Sequence, residues 1–159
     1  MQVKKIDVRV CAVMCAALIF SVAAKAADSQ SGTWKLNVAK SSYSPGPTPK
    51  SLTLTVVADE KSLKIHSEGV DGEGKPTKVD FTANFDGKDY PATGIAVGDM
   101  VSVERVDANT IRVSMKKDGK TLMTATSVVS ADGKTRTTTF VGKNGAGQDV
   151  KNVAVYDKQ

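Results

Sequence analysis

The chain has 159 residues and a formal net charge of +5, and much of that charge lies at its amino end. Four of the 22 basic residues and one of the 17 acidic residues fall within residues 1–26, so residues 27–159 keep 18 basic and 16 acidic residues, a net charge of +2. This near balance argues against nucleic acid as a partner, and an aromatic content of 5% is too low for the two girdles of an outer-membrane barrel.

The first element in chain order is a predicted secretory signal peptide over residues 1–26. Three cationic residues within residues 1–9 precede a mostly apolar run at residues 10–24, and "AKA" at residues 24–26 provides a small-x-small cleavage site. These features in this order are typical of a signal peptide. The apolar run is short for a membrane span, which needs about 20 residues. An uncleaved amino-terminal anchor is the alternative.

Cleavage after Ala26 would leave a single domain over residues 27–159. This domain lacks cysteine, because Cys11 and Cys15 both precede the cleavage site. Its stability would therefore come from burial and strand pairing rather than from a disulfide. We expect this mature chain in the periplasm or outside the cell, with no membrane span.

The rest of the chain shows alternation of apolar and polar residues rather than a helical period. Leu52, Leu54 and Val56, for example, alternate with threonine and valine within residues 51–58. The predicted strands cover residues 32–37, 51–58, 62–69, 77–85, 100–106, 110–117, 121–130, 135–142 and 149–157, with a short additional strand near Tyr90. Asp-Gly pairs at several joints favour tight hairpins. Short, evenly spaced strands predict an all-β fold, an antiparallel up-and-down β-barrel of eight to ten strands.

One segment interrupts this rhythm between the first two strands. Residues 38–50 carry Pro45, Pro47 and Pro49, and alternating proline favours an extended path. Two interpretations remain open. The segment is a solvated loop, or it crosses the barrel mouth with Tyr43 as a plug.

Trp34, the only tryptophan, lies at the start of the first predicted strand. A barrel tapers and needs a large flat side chain at one end, so we predict that Trp34 closes the barrel and that Gly32 allows the chain to bend in tightly. Gly32-Thr33-Trp34 opening an all-β meander, with "NVAVYDK" at residues 152–158 as the last strand, resembles the calycin group, that is, lipocalins and fatty-acid-binding proteins. The chain is also similar to exported bacterial lipocalin-like proteins. This resemblance implies a lipocalin-like barrel with a ligand inside.

The chain departs from the fatty-acid-binding proteins at two points. Residues 38–50 are too few for the helix pair that those proteins insert after their first strand. Their last strand carries an Arg-x-Tyr pair that holds a fatty-acid carboxylate, and the matching positions here are Ala154 and Tyr156. The resemblance therefore implies the barrel more strongly than it implies fatty-acid binding.

Catalytic and metal sites find little support in the sequence. His66 is the only histidine, and alternation places it on the opposite face from Ile65, which predicts a surface position. A nucleophile triad needs a histidine beside a nucleophile and an acid, and a zinc site needs about four such ligands. We therefore expect neither an enzyme nor a bound metal or cofactor.

The inner strand faces provide candidate ligand contacts. Arg105 shares the face of Val101 and Val103, and Arg136 shares the face of Thr138 and Phe140. Guanidinium groups on an inner face favour an anionic ligand, although such arginines also close barrels by packing over a tryptophan. The predicted ligand-binding set is Arg105, Arg136, Tyr156, Phe81 and Met115.

The sequence thus predicts an exported, lipocalin-like binding protein for a small apolar or amphipathic molecule. The alternative is a ligand-free structural or interaction barrel of the cell envelope, in which the loops do the work.

Overall fold

The computed structural model describes residues 28–159, so the predicted signal peptide lies outside the described residues. In this part of the chain the regular structure comprises ten β-strands and one turn of 3₁₀ helix, Val38–Lys40. The strands are β1 (Gly32–Leu36), β2 (Ser51–Ala58), β3 (Ser62–Val70), β4 (Pro76–Asn84), β5 (Tyr90–Thr93), β6 (Met100–Arg105), β7 (Thr110–Lys117), β8 (Lys120–Val129), β9 (Thr135–Lys143) and β10 (Asp149–Lys158).

The ten strands form a closed barrel. Each strand runs antiparallel to its neighbours in sequence, and β1 also pairs with β10, which closes the sheet. Trp34 on β1 lies opposite Leu54 on β2, and Leu36 lies opposite Tyr156 on β10. The predicted all-β class and the antiparallel up-and-down barrel are confirmed, with a strand number at the upper end of the predicted range. Closure leaves no free sheet edge for another chain to pair with.

The shortest strand is β5, the piece that the sequence predicted near Tyr90. It pairs with β4 only through Asp80↔Thr93 and Phe81↔Ala92, and with β6 only through Tyr90↔Val101 and Pro91↔Met100. Proline has no backbone N–H and cannot donate to a strand ladder. Pro91 therefore limits the hydrogen bonding of this strand, and β5 is the most weakly paired strand of the barrel.

The barrel interior has two levels along its axis. The level at the closed end, which we call the floor core, is fully or almost fully buried. It consists of Trp34, Val56, Leu63, Val103, Ile111 and Val129. Side chains two positions apart on a strand share one face, and the residues two positions further up, such as Leu54, Ile65 and Val113, line a cavity instead. Packing thus holds one end of the barrel, and the other end is hollow.

Aspartates stabilise several hairpin turns by accepting backbone hydrogen bonds. Asp71 accepts from the amides of Glu73 and Lys75 at 2.9 and 2.8 Å, and these bonds, Lys75's first, lower the pKa of its carboxyl. Bonds from Asn109 and from Ser130, respectively, are the main causes that lower the pKa values of Asp107 and Asp132. We refer to Asp71, Asp107 and Asp132 as the turn aspartates. Each local bond helps to set the turn that joins two strands.

The connection between β1 and β2, residues 37–50, forms what we call the mouth strap. Its backbone runs beside β10, where the Ser42 amide donates to the Val153 carbonyl at 2.8 Å and the Val153 amide donates back at 2.7 Å. Most of the strap is exposed, but the half-buried ring of Tyr43 packs against the core. The strap therefore combines the two interpretations of the sequence, since it is solvated outside and places one aromatic ring inside.

Candidate cavity for an amphipathic ligand

A cavity of about 440 Å³ occupies the upper level of the barrel. Its rim includes Pro45 on the mouth strap, Ala96 on the β5–β6 connection and Gly145 on the β9–β10 connection, all of them exposed. Its walls are mainly apolar. They include Leu52, Leu54, Ile65, Val79, Phe81, Val113, Met115, Met123, Ala125 and Phe140. The volume falls within the range of about 300–1,000 Å³ that is usual for small-molecule sites.

The inner end of the cavity contains a buried cation, the guanidinium of Arg136. This side chain is 1% exposed and lines the cavity. Its Nη1 donates to Oε1 of Gln30 at 2.7 Å, and its Nε is buried with no hydrogen-bond partner. No carboxylate within residues 28–159 forms an ion pair with it. Burial without a counter-charge lowers the pKa of Arg136 to about 10, so the group remains cationic at neutral pH.

Two tyrosines line the same cavity, and one of them lies close to this cation. Tyr156 is directly opposite Arg136 in the β9–β10 register, and both Tyr156 and Tyr43 line the cavity. Burial raises the pKa of Tyr43 to about 12. Burial also raises the pKa of Tyr156, an effect that Tyr43 reinforces and Arg136 opposes. Both phenols are therefore protonated at neutral pH and can donate a hydrogen bond to a ligand.

A hydroxyl pair completes the polar part of the lining. Ser127 on β8 and Thr138 on β9 are both buried, and their side-chain oxygens lie 2.8 Å apart. One hydroxyl donates to the other, so each oxygen has a hydrogen-bond partner and the pair adds polarity beside Arg136. The cavity thus has a polar inner end and apolar walls toward the rim.

The predicted contacts separate into two groups. Arg136, Tyr156, Phe81 and Met115 all line the cavity. Arg105 lies instead at the closed end of the barrel, where its Nη2 contacts Oδ2 of Asp28 at 2.6 Å and its guanidinium lies 4.2 Å from the centre of the Phe85 ring. Arg105 is not among the residues that line the cavity.

The predicted closing residues Gly32 and Trp34 lie at the closed end. The Trp34 ring is 0% exposed, its Nε1 donates to the Gln30 carbonyl at 3.2 Å, and Lys158 Nζ lies 4.9 Å from the ring centre. Gly32 has a φ of +140°, and a Cβ there would come within 2.7 Å of Lys158 Cε. A larger residue at this position would push the lysine off the tryptophan.

The cation of the cavity comes from a different strand than the family resemblance implied. Ala154, the residue at the position of the missing arginine, is 0% exposed and does not line the cavity. Arg136 on β9 instead faces Tyr156 across the ladder. A cation beside the retained tyrosine is therefore present, although the Arg-x-Tyr pattern on the last strand is not.

The sequence reasoning missed Gln30, which precedes the first strand. Gln30 is 0% exposed, and its side chain joins Arg136 to the Asn109 carbonyl. No periodic pattern covers "DSQS" at residues 28–31, so the sequence carries no signal for this role. Tyr43 had a weak signal, as the one aromatic residue in the proline-rich segment.

The outer face of the barrel holds His66, as alternation predicts. His66 is half-buried and bonds through Nδ1 to Asp80, and this bond is the main cause that lowers the pKa of Asp80. Within residues 28–159, no group of three or more His, Cys, Asp and Glu side chains has the arrangement to hold a metal ion. The same residues contain no helix that could span a lipid bilayer.

Comparison of the chain with protein-family models, with curated proteins and with solved structures finds no match. The geometry of the cavity is therefore the basis for a functional assignment.

Proposed function

We propose that the chain is an exported, calycin-like binding protein that holds a small amphipathic molecule with an anionic head. The head group would contact Arg136 and Tyr156 at the inner end of the cavity, and the apolar part would extend toward the rim past residues such as Met115. Export to the periplasm or beyond the cell is part of this proposal, and its support is the signal-peptide pattern of residues 1–26.

The observation that carries the proposal is the buried guanidinium at the end of an apolar cavity. A charge taken out of water costs several kcal/mol unless a partner compensates it, and Arg136 has a neutral amide as its hydrogen-bond acceptor. An anionic head group would supply the missing negative charge and accept charge-assisted hydrogen bonds from the guanidinium. The neighbouring phenol of Tyr156 supports the same chemistry.

The cavity volume limits the size of the ligand. A water takes up about 30 Å³ in the liquid, so 440 Å³ accommodates a molecule of roughly 15 non-hydrogen atoms. A medium-chain acid such as decanoate fits this limit, whereas a long-chain acid would extend beyond the rim.

The proposal is tested by calorimetric titration of decanoate into protein expressed from the full sequence. We compare Arg136→Gln with Arg112→Gln, a matched loss of charge on an exposed arginine that pairs with Glu104 on the outer face. A hydrogen bond to a charged group contributes about 1.5–3 kcal/mol, so Arg136→Gln should weaken binding by roughly one to two decades. Arg112→Gln should leave the affinity unchanged.

Native mass spectrometry of protein from its own host should find a co-purifying small molecule. The absence of both this molecule and decanoate binding would refute the proposal in favour of the ligand-free structural barrel. Binding that Arg136→Gln leaves intact would show that the ligand does not use the buried cation.

A further inference from the structure

Residues 28–31, at the closed end of the barrel, provide acceptors of different charge to two arginines. The Arg105 guanidinium donates to the carboxylate of Asp28 at 2.6 Å, whereas the Arg136 guanidinium donates to the uncharged amide oxygen of Gln30 at 2.7 Å. Arg105 thus has a counter-charge, and Arg136 has a hydrogen-bond acceptor without one. The two acceptors are only two residues apart in the sequence, yet only one of the two cations is neutralised.

Gln30 is held firmly in this position by bonds on every side. Its side-chain Nε2 donates to the Asn109 carbonyl at 2.7 Å. Its backbone N–H donates to Asp28 Oδ1 at 3.0 Å, and its backbone carbonyl accepts from Trp34 Nε1 at 3.2 Å. The residue is 0% exposed. The amide oxygen therefore orients the guanidinium from below and cannot move aside without disturbing the floor core.

We infer that the neutrality of the Gln30 side chain sets the charge preference of the cavity, because Gln30 accepts a hydrogen bond from Arg136 without cancelling its charge. This inference rests on the proposed function. A carboxylate at position 30 would form a buried ion pair with Arg136, and the guanidinium would then have little electrostatic attraction left for a ligand anion. A neutral ligand of the same shape would be affected much less, since it depends on the apolar walls.

The test uses two ligands and three variants of the full-length protein. The ligands are decanoate and 1-decanol, which share a tail and differ in charge. The variants are Gln30→Glu, Gln30→Met and Gln159→Glu. Gln159 is exposed, and its backbone N–H donates to the Thr33 carbonyl at the closed end of the barrel. Gln159→Glu therefore adds the same charge at the same end of the barrel. Gln30→Met removes the acceptor without adding charge.

We expect the natural protein to bind decanoate at least tenfold more tightly than decanol. Gln30→Glu should reduce decanoate affinity ten- to hundredfold, with decanol affinity within threefold of the natural value. Gln30→Met and Gln159→Glu should keep the preference for the acid within threefold. Circular dichroism and thermal melting confirm that each variant is folded. If Gln30→Glu does not fold, Gln30→Met decides: a retained preference supports the inference, and a lost preference overturns it.

The possible failures are distinguishable. A natural protein that binds neither ligand refutes the proposed function itself. A natural protein that prefers the acid, together with a Gln30→Glu variant that keeps this preference, overturns the role of Gln30 and leaves the proposed function standing. Equal loss of preference in Gln30→Glu and Gln30→Met would also overturn the inference, because the hydrogen bond and not the charge would then be responsible.

Discussion

Replacement of Trp34 by alanine should remove a large part of the stability of the barrel. The ring is 0% exposed, and a buried tryptophan covers about 200 Å². At about 25 cal/mol per Å² this area corresponds to an upper value of about 5 kcal/mol. Measured losses for large aromatic residues in protein cores are about 3–5 kcal/mol. The substitution also leaves the Gln30 carbonyl without its hydrogen bond from Nε1, which costs a further ~1 kcal/mol. We expect a loss of about 4–6 kcal/mol in the free energy of unfolding.

The measurement is equilibrium unfolding in urea, followed by far-ultraviolet circular dichroism because the variant has no tryptophan to report by fluorescence. Trp34→Phe serves as an intermediate variant that keeps a ring but loses Nε1–H, and it should lose less than half as much. Val57→Ala is the surface control, since Val57 is 60% exposed and should change stability by no more than about 0.5 kcal/mol. A loss below about 1.5 kcal/mol for Trp34→Ala would refute the packing argument.

Three further predictions follow from the same contacts. The turn aspartates have folded-state pKa values below the ordinary 3.8, so their contribution to stability is present above that pH and is lost as the pH falls through the folded-state values. The midpoints of urea unfolding should be constant from about pH 5 to pH 8 and fall below about pH 4. A midpoint that rises on acidification would contradict this. Arg105→Met should lower the melting temperature, because it leaves the part-buried carboxylate of Asp28 unpaired, yet decanoate affinity in a calorimetric titration should not change; a tenfold weaker affinity would place Arg105 in the ligand site. Gly94→Ala should destabilise much more than Gly133→Ala in urea unfolding, because both residues have a positive φ but only at Gly94 would a Cβ collide with a backbone oxygen, that of Lys78, at 1.7 Å; equal losses would show that backbone strain alone sets the cost.

The sequence was sufficient to predict the barrel, and the reason is the strict alternation of its strands. Most inner faces carry apolar residues at every second position, as in Leu52, Leu54 and Val56, so strand identity and strand face could be assigned together. Closure was predicted because joining the first and last strands removes both exposed edges of a long meander. The weakest element, β5, was hard to recognise because four residues with a proline give almost no periodic signal.

The candidate site was harder to predict, because alternation gives the face of a residue but not its height along the barrel axis. Arg105 and Arg136 both follow inner-face positions, yet Arg105 ends β6 at the closed end and Arg136 reaches the cavity. Gln30 and Tyr43 lie outside the strands altogether. Their positions depend on how a non-repeating segment folds against the finished barrel, and no local pattern in the sequence encodes that.

The division of the barrel into a packed floor core and a hollow upper level has a consequence for how this protein can change. A side chain such as Leu52 or Met123 already faces open space on one side, so its replacement leaves most close contacts of the fold untouched. Successive substitutions around the rim could therefore alter which molecule fits while the chain still folds, in evolution or in a designed library. Gln30 is the exception, because it is hydrogen-bonded to a residue of each level, to Trp34 in the floor core and to Arg136 in the cavity lining. If the cavity changed in evolution to prefer uncharged molecules, Gln30 would be the position with the least freedom to vary.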